Sequence, residues 1–401
     1  MNLWLSAGII FTVLAIFFLL YRWGNIRCIG VTPTHTFTFV AILFTSGLDV
    51  GLIMFPLTEF GTYADTTGNP EYAFTNPLAL EFGFWGFLIW GFYFLTCFYF
   101  CIIEPRVRFF DIPVVKWINN VVIIGTCAFT AYLLLSNLPW YLPQIGDGES
   151  IVITFYVIVF CVILAATYSS TDIKYVRILS LASTWLFLAL IAGMWIGAAI
   201  APQVFVERLS LVGDYFSNLP AFILPINDYH AFYLFWWFAW SIMIGQFTAR
   251  FVGGLRTWQL LLALLAFPSI PLAIWFTVLY YYHSNSLPTD GLISLSMVFV
   301  GITFVINSLD SLIRLYTDNL NLTTDRLGKW QYILGNLFAL FGLTLLFKLD
   351  FLQIQWVGAV VIGLYFACFA YILIKKRQEV AAITGAPAER VLDFAAIDKA
   401  H

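Results

Sequence analysis

Two groups of aromatic residues have the composition of a binding site for an organic cation. They are Trp236, Trp237 and Trp240 in one apolar run, and Trp85, Trp90 and Tyr93 in another. At roughly 100° per residue, Trp236 and Trp240 share a helix face and Trp237 lies to one side. Tryptophan faces attract quaternary ammonium groups through cation–π interactions. Because both groups lie mid-helix, away from the membrane-interface belts, we expect an aromatic cage. Simple aromatic packing is the alternative.

Asp49 is a carboxylate in the middle of another apolar run, with Gly47 and Gly51 on either side. At that depth a lone carboxylate costs several kcal/mol unless it is paired, protonated or hydrated. If the glycines let the helix unwind, free carbonyl groups beside Asp49 suit a cation. We therefore expect Asp49 to bind a cationic substrate or a coupling ion. The alternative is a carboxylate at the mouth of an aqueous cavity.

A third polar feature lies near the end of the apolar run that contains residues 303–311. Asn307, Ser308, Asp310 and Ser311 could bind a hard cation through oxygen, or could satisfy one another across helices. The four histidines, His35, His230, His283 and His401, lie near helix ends or in the tail, and they are expected to be water-exposed at the membrane interface. Because no nucleophile–base pair or His/Glu cluster falls at midplane depth, we do not expect an enzyme.

The composition excludes a soluble protein. Of the 401 residues, 61% are hydrophobic and 10% are charged, whereas soluble domains carry about 25% charged residues. A net charge of −3 with no basic block excludes nucleic acid as a partner. The six cysteines show no metal-binding spacing and are expected to be buried small hydrophobic residues.

Eleven apolar runs are long enough to cross a bilayer. They are 3–21, 36–58, 80–103, 117–139, 151–170, 178–200, 230–250, 258–282, 291–314, 330–347 and 351–375. All lysines and arginines except Arg208 and Lys348 then fall on one face. The positive-inside rule places that face in the cytoplasm. We therefore expect a multi-pass protein of the cell (inner or plasma) membrane, with the N-terminus outside and the C-terminus cytoplasmic.

The eleven spans can be divided into one helix plus two inverted repeats of five helices, a common architecture of secondary transporters. The predicted units are 1–30 (N-terminal helix and loop), 31–200 (first repeat), 201–229 (outer loop with an interfacial helix at 204–222), 230–376 (second repeat) and 377–401 (mobile cytoplasmic tail). The first helix of each repeat should be weakened near the midplane. Gly47, Gly51 and Pro56 suggest this in the first repeat, and Gly245 followed by Gly253-Gly254 suggests it in the second.

Several of these segments together resemble the betaine/choline/carnitine transporter family. Residues 235–257 read FWWFAWSIMIGQFTARFVGGLRT. They are similar to the family signature, in which Trp-Trp-x-x-Trp-Ser precedes Gly-x-Phe-x-Ala-Arg-x-Ser-x-Gly-Arg-Thr. Residues 85–93, 43–51, 304–310 and 212–219 resemble its second aromatic helix, its glycine stretch, its sodium segment and its interfacial helix. The similarity extends over roughly residues 10–375.

The resemblance implies an all-α polytopic membrane protein with a LeuT-like fold. It also implies transport of trimethylammonium-type compounds through the bilayer, driven by a sodium or proton gradient or by exchange, and often a homotrimer. No cofactor is expected beyond Na⁺ or H⁺ as the coupling ion. By position, Trp85, Trp90, Tyr93 and Trp237 would form the central cage, and Trp236 and Trp240 would line a second site on the permeation path.

The same resemblance places a sodium site at the carbonyl groups of Ser46, Leu48 and Phe304 and the side chains of Asn307 and Ser308. The sequence departs from the family pattern at Asp49, where the family has glycine, and at Asn307, where it has threonine. We therefore expect a secondary transporter of choline-, betaine- or carnitine-type compounds. The alternative is a membrane sensor or accessory subunit that uses the same scaffold without transporting.

Overall fold

The computed structural model describes residues 1–47 and 50–386, which are predominantly helical. The first half contains α1 (Asn2–Trp23), β1 (Arg27–Ile29), α2 (Thr36–Gly47), α3 (Gly51–Ala64), α4 (Pro77–Trp85), α5 (Trp90–Phe98), α6 (Glu104–Val107), α7 (Pro113–Tyr141), α8 (Ile153–Ser169) and α9 (Ile173–Gly197). The outer segment contains α10 (Pro202–Ser210) and α11 (Gly213–Ser217). The second half contains α12 (Asp228–Thr248), β2 (Gly253–Arg256), α13 (Thr257–Ala266), α14 (Ser269–Ser284), α15 (Leu292–Leu320), α16 (Thr324–Leu327), α17 (Lys329–Lys348), α18 (Ile354–Tyr371) and α19 (Arg377–Ala381).

The predicted spans are confirmed as largely helical segments. Eight helices among the described residues are long and apolar enough to cross a membrane, and Ile153–Ser169 is a shorter apolar helix. Some of the eight consist of consecutive elements, such as Pro77–Val107, which combines α4, α5 and α6. The chain is an all-α polytopic membrane protein. Its division into two inverted repeats stays a prediction.

The first helix of each predicted repeat was expected to be weakened. In the first repeat, α2 is described as far as Gly47 and α3 begins at Gly51. Because residues 48 and 49 lie outside the described part of the chain, an interruption there stays a prediction. The prediction was wrong for the second helix, because α12 continues through Gly245. A Cβ atom at Gly245 would collide with the Thr96 side chain and the backbone of Cys97, so this glycine serves the close approach of α5 to α12.

A short antiparallel sheet connects two segments that are far apart in the sequence. β1 pairs with β2, with Arg27 opposite Arg256 and Cys28 opposite Leu255. The sheet fixes the connection between α1 and α2 against the connection between α12 and α13. Gly253 and Gly254 therefore lie in β2 and do not weaken a helix.

The outer segment is helical, as predicted for 204–222, but in three pieces: α10, α11 and a 3₁₀ turn at Leu219–Phe222. Tyr215 of α11 anchors it. The ring of Tyr215 lies 5.1 Å from the ring of Phe82 and 4.9 Å from that of Phe222, between ring centroids. This contact holds the outer segment against α4.

The beginning of the C-terminal tail is held in place, so the prediction of a mobile tail from residue 377 was wrong for residues 377–386. The Trp23 indole donates to the carbonyl of Ile383 at 3.2 Å, and the Arg106 guanidinium donates to the carbonyl of Gly385 at 2.8 Å. Ile383 is buried. Residues 387–401 lie outside the described part of the chain.

Five of the six cysteines are buried, as predicted, and Cys161 is exposed. All six are free thiols.

Candidate functional site

The cage residues of the first repeat lie on both sides of an interrupted helix. α4 ends at Trp85, and Gly86 is extended, with φ −113° and ψ 172°. Phe87 has a left-handed φ of 47°, and a 3₁₀ turn at Phe87–Ile89 leads into α5 at Trp90. The sequence predicted one continuous helix here. The interruption gives Trp85 and Trp90 positions that a regular helix cannot give to residues five apart.

Side chains from other elements satisfy the backbone groups that this interruption leaves free. The Trp237 indole donates to the carbonyl of Phe84 at 2.9 Å. The backbone N–H of Phe87 donates to the Ser269 hydroxyl at 2.9 Å, and that of Leu88 donates to the Tyr215 hydroxyl at 3.3 Å. A buried backbone group without a partner costs about 1–3 kcal/mol, so these three contacts stabilise the unwound conformation.

The four predicted cage residues form one connected set of rings. Trp85 contacts Trp237 edge to face, with 5.2 Å between ring centroids. Tyr93 contacts Trp237 at 6.4 Å, and Trp90 contacts Tyr93 at 5.1 Å. The sequence predicted this set although its members come from three different helices. Their role in binding stays a prediction.

Trp236 belongs to the same cluster and does not form a separate one. Its ring stacks on that of Trp237 at 5.2 Å with an interplanar angle of 6°, and it contacts Trp85 at 5.4 Å. Trp240 is buried one turn further along α12. Among the described residues, ring contacts join the other five aromatic residues to one another but do not include Trp240. Of the two residues predicted for a second site, Trp236 therefore belongs to the cage, whereas Trp240 is not joined to it by a ring contact among the described residues.

The cluster is closed and poor in hydrogen bonds. None of the six side chains is more than 2% exposed. Among the described residues, the indole N–H groups of Trp85, Trp90, Trp236 and Trp240 have no partner at hydrogen-bonding geometry. The cluster therefore offers ring faces, which suit a soft cation that cannot donate hydrogen bonds.

Glu59 lies beside the cage and is surrounded by tyrosines. Its carboxyl group accepts a hydrogen bond from Tyr63 at 2.7 Å, one from Tyr229, and one from Tyr233 that is shared between both oxygens at 2.7 and 3.0 Å. Tyr233 in turn contacts Trp85, with 5.5 Å between ring centroids. Glu59 is therefore connected to the cage through one side chain.

Glu81 is a buried carboxyl group that the sequence analysis missed. It lies in α4 beside Glu59, Tyr63 and Trp85, yet neither of its oxygens has a partner at hydrogen-bonding geometry. The signal was present in the sequence, because an acidic residue within an apolar membrane segment is a candidate functional residue by default. It lay unnoticed in the stretch 77–85, next to the more conspicuous Trp85.

Three of the predicted sodium residues, Phe304, Asn307 and Ser308, lie on α15. Asn307 and Ser308 are fully buried, and Asn307 Oδ1 accepts a hydrogen bond from Ser180 at 3.0 Å. The backbone of Phe304 lies one turn earlier, and its ring contacts Phe187 at 5.7 Å. These amide, hydroxyl and carbonyl oxygens are of the type that binds sodium in transporters.

The remaining predicted residues are only partly described. Ser46 lies in the last turn of α2. Leu48 and Asp49 lie outside the described residues.

Two residues after Ser308, Asp310 is buried and accepts a hydrogen bond from Ser169 at 2.5 Å. The charge of Arg314 acts on Asp310 from one turn further along α15.

The loop beside the cage is fixed by α12. Asn227 donates to Glu71 at 2.8 Å and to the Tyr72 hydroxyl at 2.8 Å, and it caps α12 by accepting from His230 N–H. The hydrogen bond from Asn227 lowers the pKa of the Glu71 carboxyl below its usual value. His230 is buried and its ring stacks on Phe84 at 4.4 Å, so it is not the water-exposed histidine that its position near a helix end predicted.

Comparison with known proteins relates about two thirds of the chain to betaine and choline transporters. A glycine betaine/proline/choline transporter of Vibrio parahaemolyticus is 21% identical over 330 residues, which cover 68% of this chain and 59% of the relative. A glycine betaine transporter of Acinetobacter baylyi is 23% identical over 336 residues, covering 71% and 50%. The chain is a divergent relative of the betaine and choline transporters.

An uncharacterized transporter of Mycobacterium tuberculosis is 24% identical over 314 residues, covering 67% of this chain and 52% of that protein. The chain spans about half the length of the curated relatives it matches. No model of a protein family matches it. The resemblance to the betaine/choline/carnitine transporters is therefore confirmed at the level of a distant relationship.

Proposed function

We propose that the protein is a secondary active transporter of compounds that carry a quaternary or methylated ammonium group. The observation that carries this proposal is the buried set of rings formed by Trp85, Trp90, Tyr93 and Trp237 around an unwound helix segment. Four aromatic side chains from three helices can surround a methylated head group, and a change in the helix interruption can open or close the space between them. The names of the relatives, which include choline and glycine betaine transporters, support the same class of substrate.

The physical basis of recognition is the cation–π interaction. A trimethylammonium group has no N–H to donate, so a site of hydrogen-bond acceptors has little to offer it. Ring faces attract its spread positive charge by about 2 kcal/mol or more when water is excluded. Because the six aromatic residues are buried, the cluster provides that water-free environment.

Transport is driven by a sodium or proton gradient or by exchange. For sodium, the ligands would be the carbonyl groups of Ser46, Leu48 and Phe304 and the side chains of Asn307 and Ser308. Asp49 would neutralise a positively charged substrate or take the coupling ion. In this proposal the protein lies in the cell membrane with its basic face in the cytoplasm, and it forms a homotrimer.

The decisive experiment measures binding and flux with the purified chain. Choline, glycine betaine, carnitine and trimethylamine are tested for binding by tryptophan fluorescence, and for accumulation in proteoliposomes with and without a sodium gradient. The variant is Trp237→Ala, which removes a central ring. Trp330→Ala, an exposed tryptophan on α17, is the matched control.

We expect Trp237→Ala to weaken ligand binding at least about 30-fold, because about 2 kcal/mol of cation–π attraction is lost. Trp330→Ala should bind and transport as the wild type does. Normal choline and betaine uptake by folded Trp237→Ala would contradict the cage. Ligand binding without gradient-driven accumulation would instead indicate a sensor built on the same scaffold.

A further inference from the structure

Two carboxyl groups and three phenol groups form a polar cluster next to the aromatic cage, and all of them except Tyr229 are buried. Glu59 and Tyr63 come from α3, Glu81 from α4, and Tyr229 and Tyr233 from α12. Glu59 is 6% exposed and Glu81 is 0% exposed. The cluster therefore lies where these three helices meet, in an environment that penalises net charge.

The cluster lacks a positively charged side chain to balance two carboxylates. In the described part of the chain, no lysine or arginine pairs with Glu59 or Glu81. The other titratable groups that face the cluster are phenols and imidazoles. They are Tyr63 on α3, Tyr72 in the following turn, Tyr141 on α7, Tyr229, His230 and Tyr233 on α12, and His283 on α14 against Phe60.

The two carboxyl groups differ in their surroundings. Glu59 receives three phenol hydrogen bonds, which together engage both of its oxygens. These donors stabilise Glu59 as the ionised member. Neither carboxyl oxygen of Glu81 has a partner at hydrogen-bonding geometry, although Glu81 is fully buried beside Glu59. A carboxylate in that position is the less stable charge of the two, because buried charges need partners.

An independent observation also points to a site here. The Trp85 indole N–H is buried, lies beside Glu81 and has no partner at hydrogen-bonding geometry. Glu81 and Trp85 are one turn apart on α4, so their side chains share a face. An unpaired donor next to an unpaired carboxyl group can complete a hydrogen bond when either side chain shifts.

We propose that Glu59 and Glu81 share one proton and that this pair is the proton-coupling site of the transporter. The inference rests on the proposed function. A sodium ion fits the cluster less well, because the phenol hydrogens already engage the oxygens of Glu59 that a metal would need. The proton resides on Glu81 and leaves to water when the pair becomes doubly ionised.

The pair is linked to the cage through two side chains. Tyr233, which donates to Glu59, contacts the ring of Trp85 at 5.5 Å and that of Trp236 at 5.7 Å. Trp85 in turn belongs to the cage and lies beside Glu81. A positive head group held by Trp85 stabilises the doubly ionised pair, because opposite charges attract strongly away from water. Binding of a cation therefore releases the proton.

The test measures choline binding to the purified protein as a function of pH at constant sodium concentration. Tryptophan fluorescence gives the Kd, and a pH-sensitive dye in weak buffer gives the protons released. The variants are Glu81→Gln and Glu59→Gln. The matched control is Glu104→Gln, which also removes a carboxyl that accepts from a tyrosine, Tyr99 at 2.6 Å, but at the opposite end of α5 from Trp90.

For the wild type and Glu104→Gln, we expect choline affinity to rise with pH by up to about tenfold per pH unit, with about one proton released per choline bound. Both Glu81→Gln and Glu59→Gln should lose the pH dependence and the proton release. An unchanged pH slope in Glu81→Gln would overturn the proposal. A slope that disappears when sodium is removed would also overturn it and identify sodium as the ligand.

A second measurement separates failure of this inference from failure of the proposed function. Infrared difference spectroscopy of the ligand-free protein after a pH jump detects a protonated carboxyl group by its C=O band. We expect a titrating band in the wild type that is absent from Glu81→Gln. If choline does not bind at any pH but this band is present, the shared proton stands and the proposed substrate class fails. If the band is absent from the wild type, the shared proton is refuted whatever the protein transports.

A second variant is available if Glu81→Gln does not fold. Tyr63→Phe removes one donor to Glu59, so the midpoint of its titrating C=O band must lie at higher pH than that of the wild type.

Discussion

The missing helical hydrogen bond at Pro56, inside α3, and the interruption between α4 and α5 are compensated in different ways. In α3, Pro56 has no N–H to donate to the carbonyl of Leu52. The Trp275 indole of α14 donates to that carbonyl at 2.9 Å. Between α4 and α5 there is no proline. The N–H of Gly86 still donates to the carbonyl of Phe82 at 2.7 Å, and Phe87 leaves the helix although its N–H could have continued it.

This comparison indicates which of the two irregularities, the one at Pro56 or the one between α4 and α5, can change during function. The lost bond in α3 is a covalent property of proline, so it persists in every conformation. The gap between α4 and α5 is held by tertiary contacts from Trp237, Ser269 and Tyr215. Contacts from other helices can be exchanged when those helices move, so the α4–α5 segment is the one suited to rearrange as the cage opens.

The largest expected effect concerns α3. Trp275→Phe removes the donor to Leu52 and should lower the free energy of unfolding by about 1–3 kcal/mol, because a buried carbonyl is left unpaired. In a Pro56→Ala background the new N–H can donate to Leu52, so the same substitution should cost about 1 kcal/mol less. Thermal unfolding of all four proteins in detergent measures this coupling. Equal losses in both backgrounds would show that the indole N–H does not compensate for the proline.

The next effect concerns the contact that the cage itself makes with the interruption. Trp237→Phe keeps an aromatic face but loses the hydrogen bond to the carbonyl of Phe84. We expect ligand binding to weaken by about fivefold, which corresponds to about 1 kcal/mol and is clearly less than for Trp237→Ala. Fluorescence titration with choline checks it. If the Phe and Ala variants bind equally poorly, the hydrogen bond and not the ring face is what matters.

The smallest effect concerns the outer segment. Tyr215→Phe removes the acceptor for the N–H of Leu88, and that hydrogen bond is long, at 3.3 Å. The loss should be below about 1 kcal/mol in stability. Faster hydrogen exchange at Leu88, with unchanged exchange within α7, is the expected readout. Unchanged exchange at Leu88 would mean that Tyr215 acts only through its ring contacts with Phe82 and Phe222.

The apolar runs and the aromatic positions could be predicted from the sequence because they depend on composition and spacing. Apolar length gave the spans, and the mixed apolar and polar residues at 204–222 gave the outer helical segment. The unbroken α12 could not be predicted, because glycine permits both a break and a close helix contact. Only the position of Thr96 shows that Gly245 serves the second purpose.

Glu81 illustrates a different limit. Its depth in an apolar segment was visible in the sequence, but its proximity to Glu59 depends on the packing of α3 against α4. The same is true of the three tyrosines, which are 4 residues and about 170 residues away from Glu59 along the chain. Electrostatic balance in a buried cluster depends on distances, and distances between helices are not encoded by local spacing.

The sequence by itself determined a membrane protein of many helices and the aromatic residues from which a site for a soft cation can be built, because hydrophobic length and side-chain type are local properties. The tertiary structure alone decided which rings touch, where α4 gives way to α5, and that Glu59 and Glu81 meet without a counter-charge. Those features arise because side chains from distant helices supply or withhold the partners that each buried polar group requires.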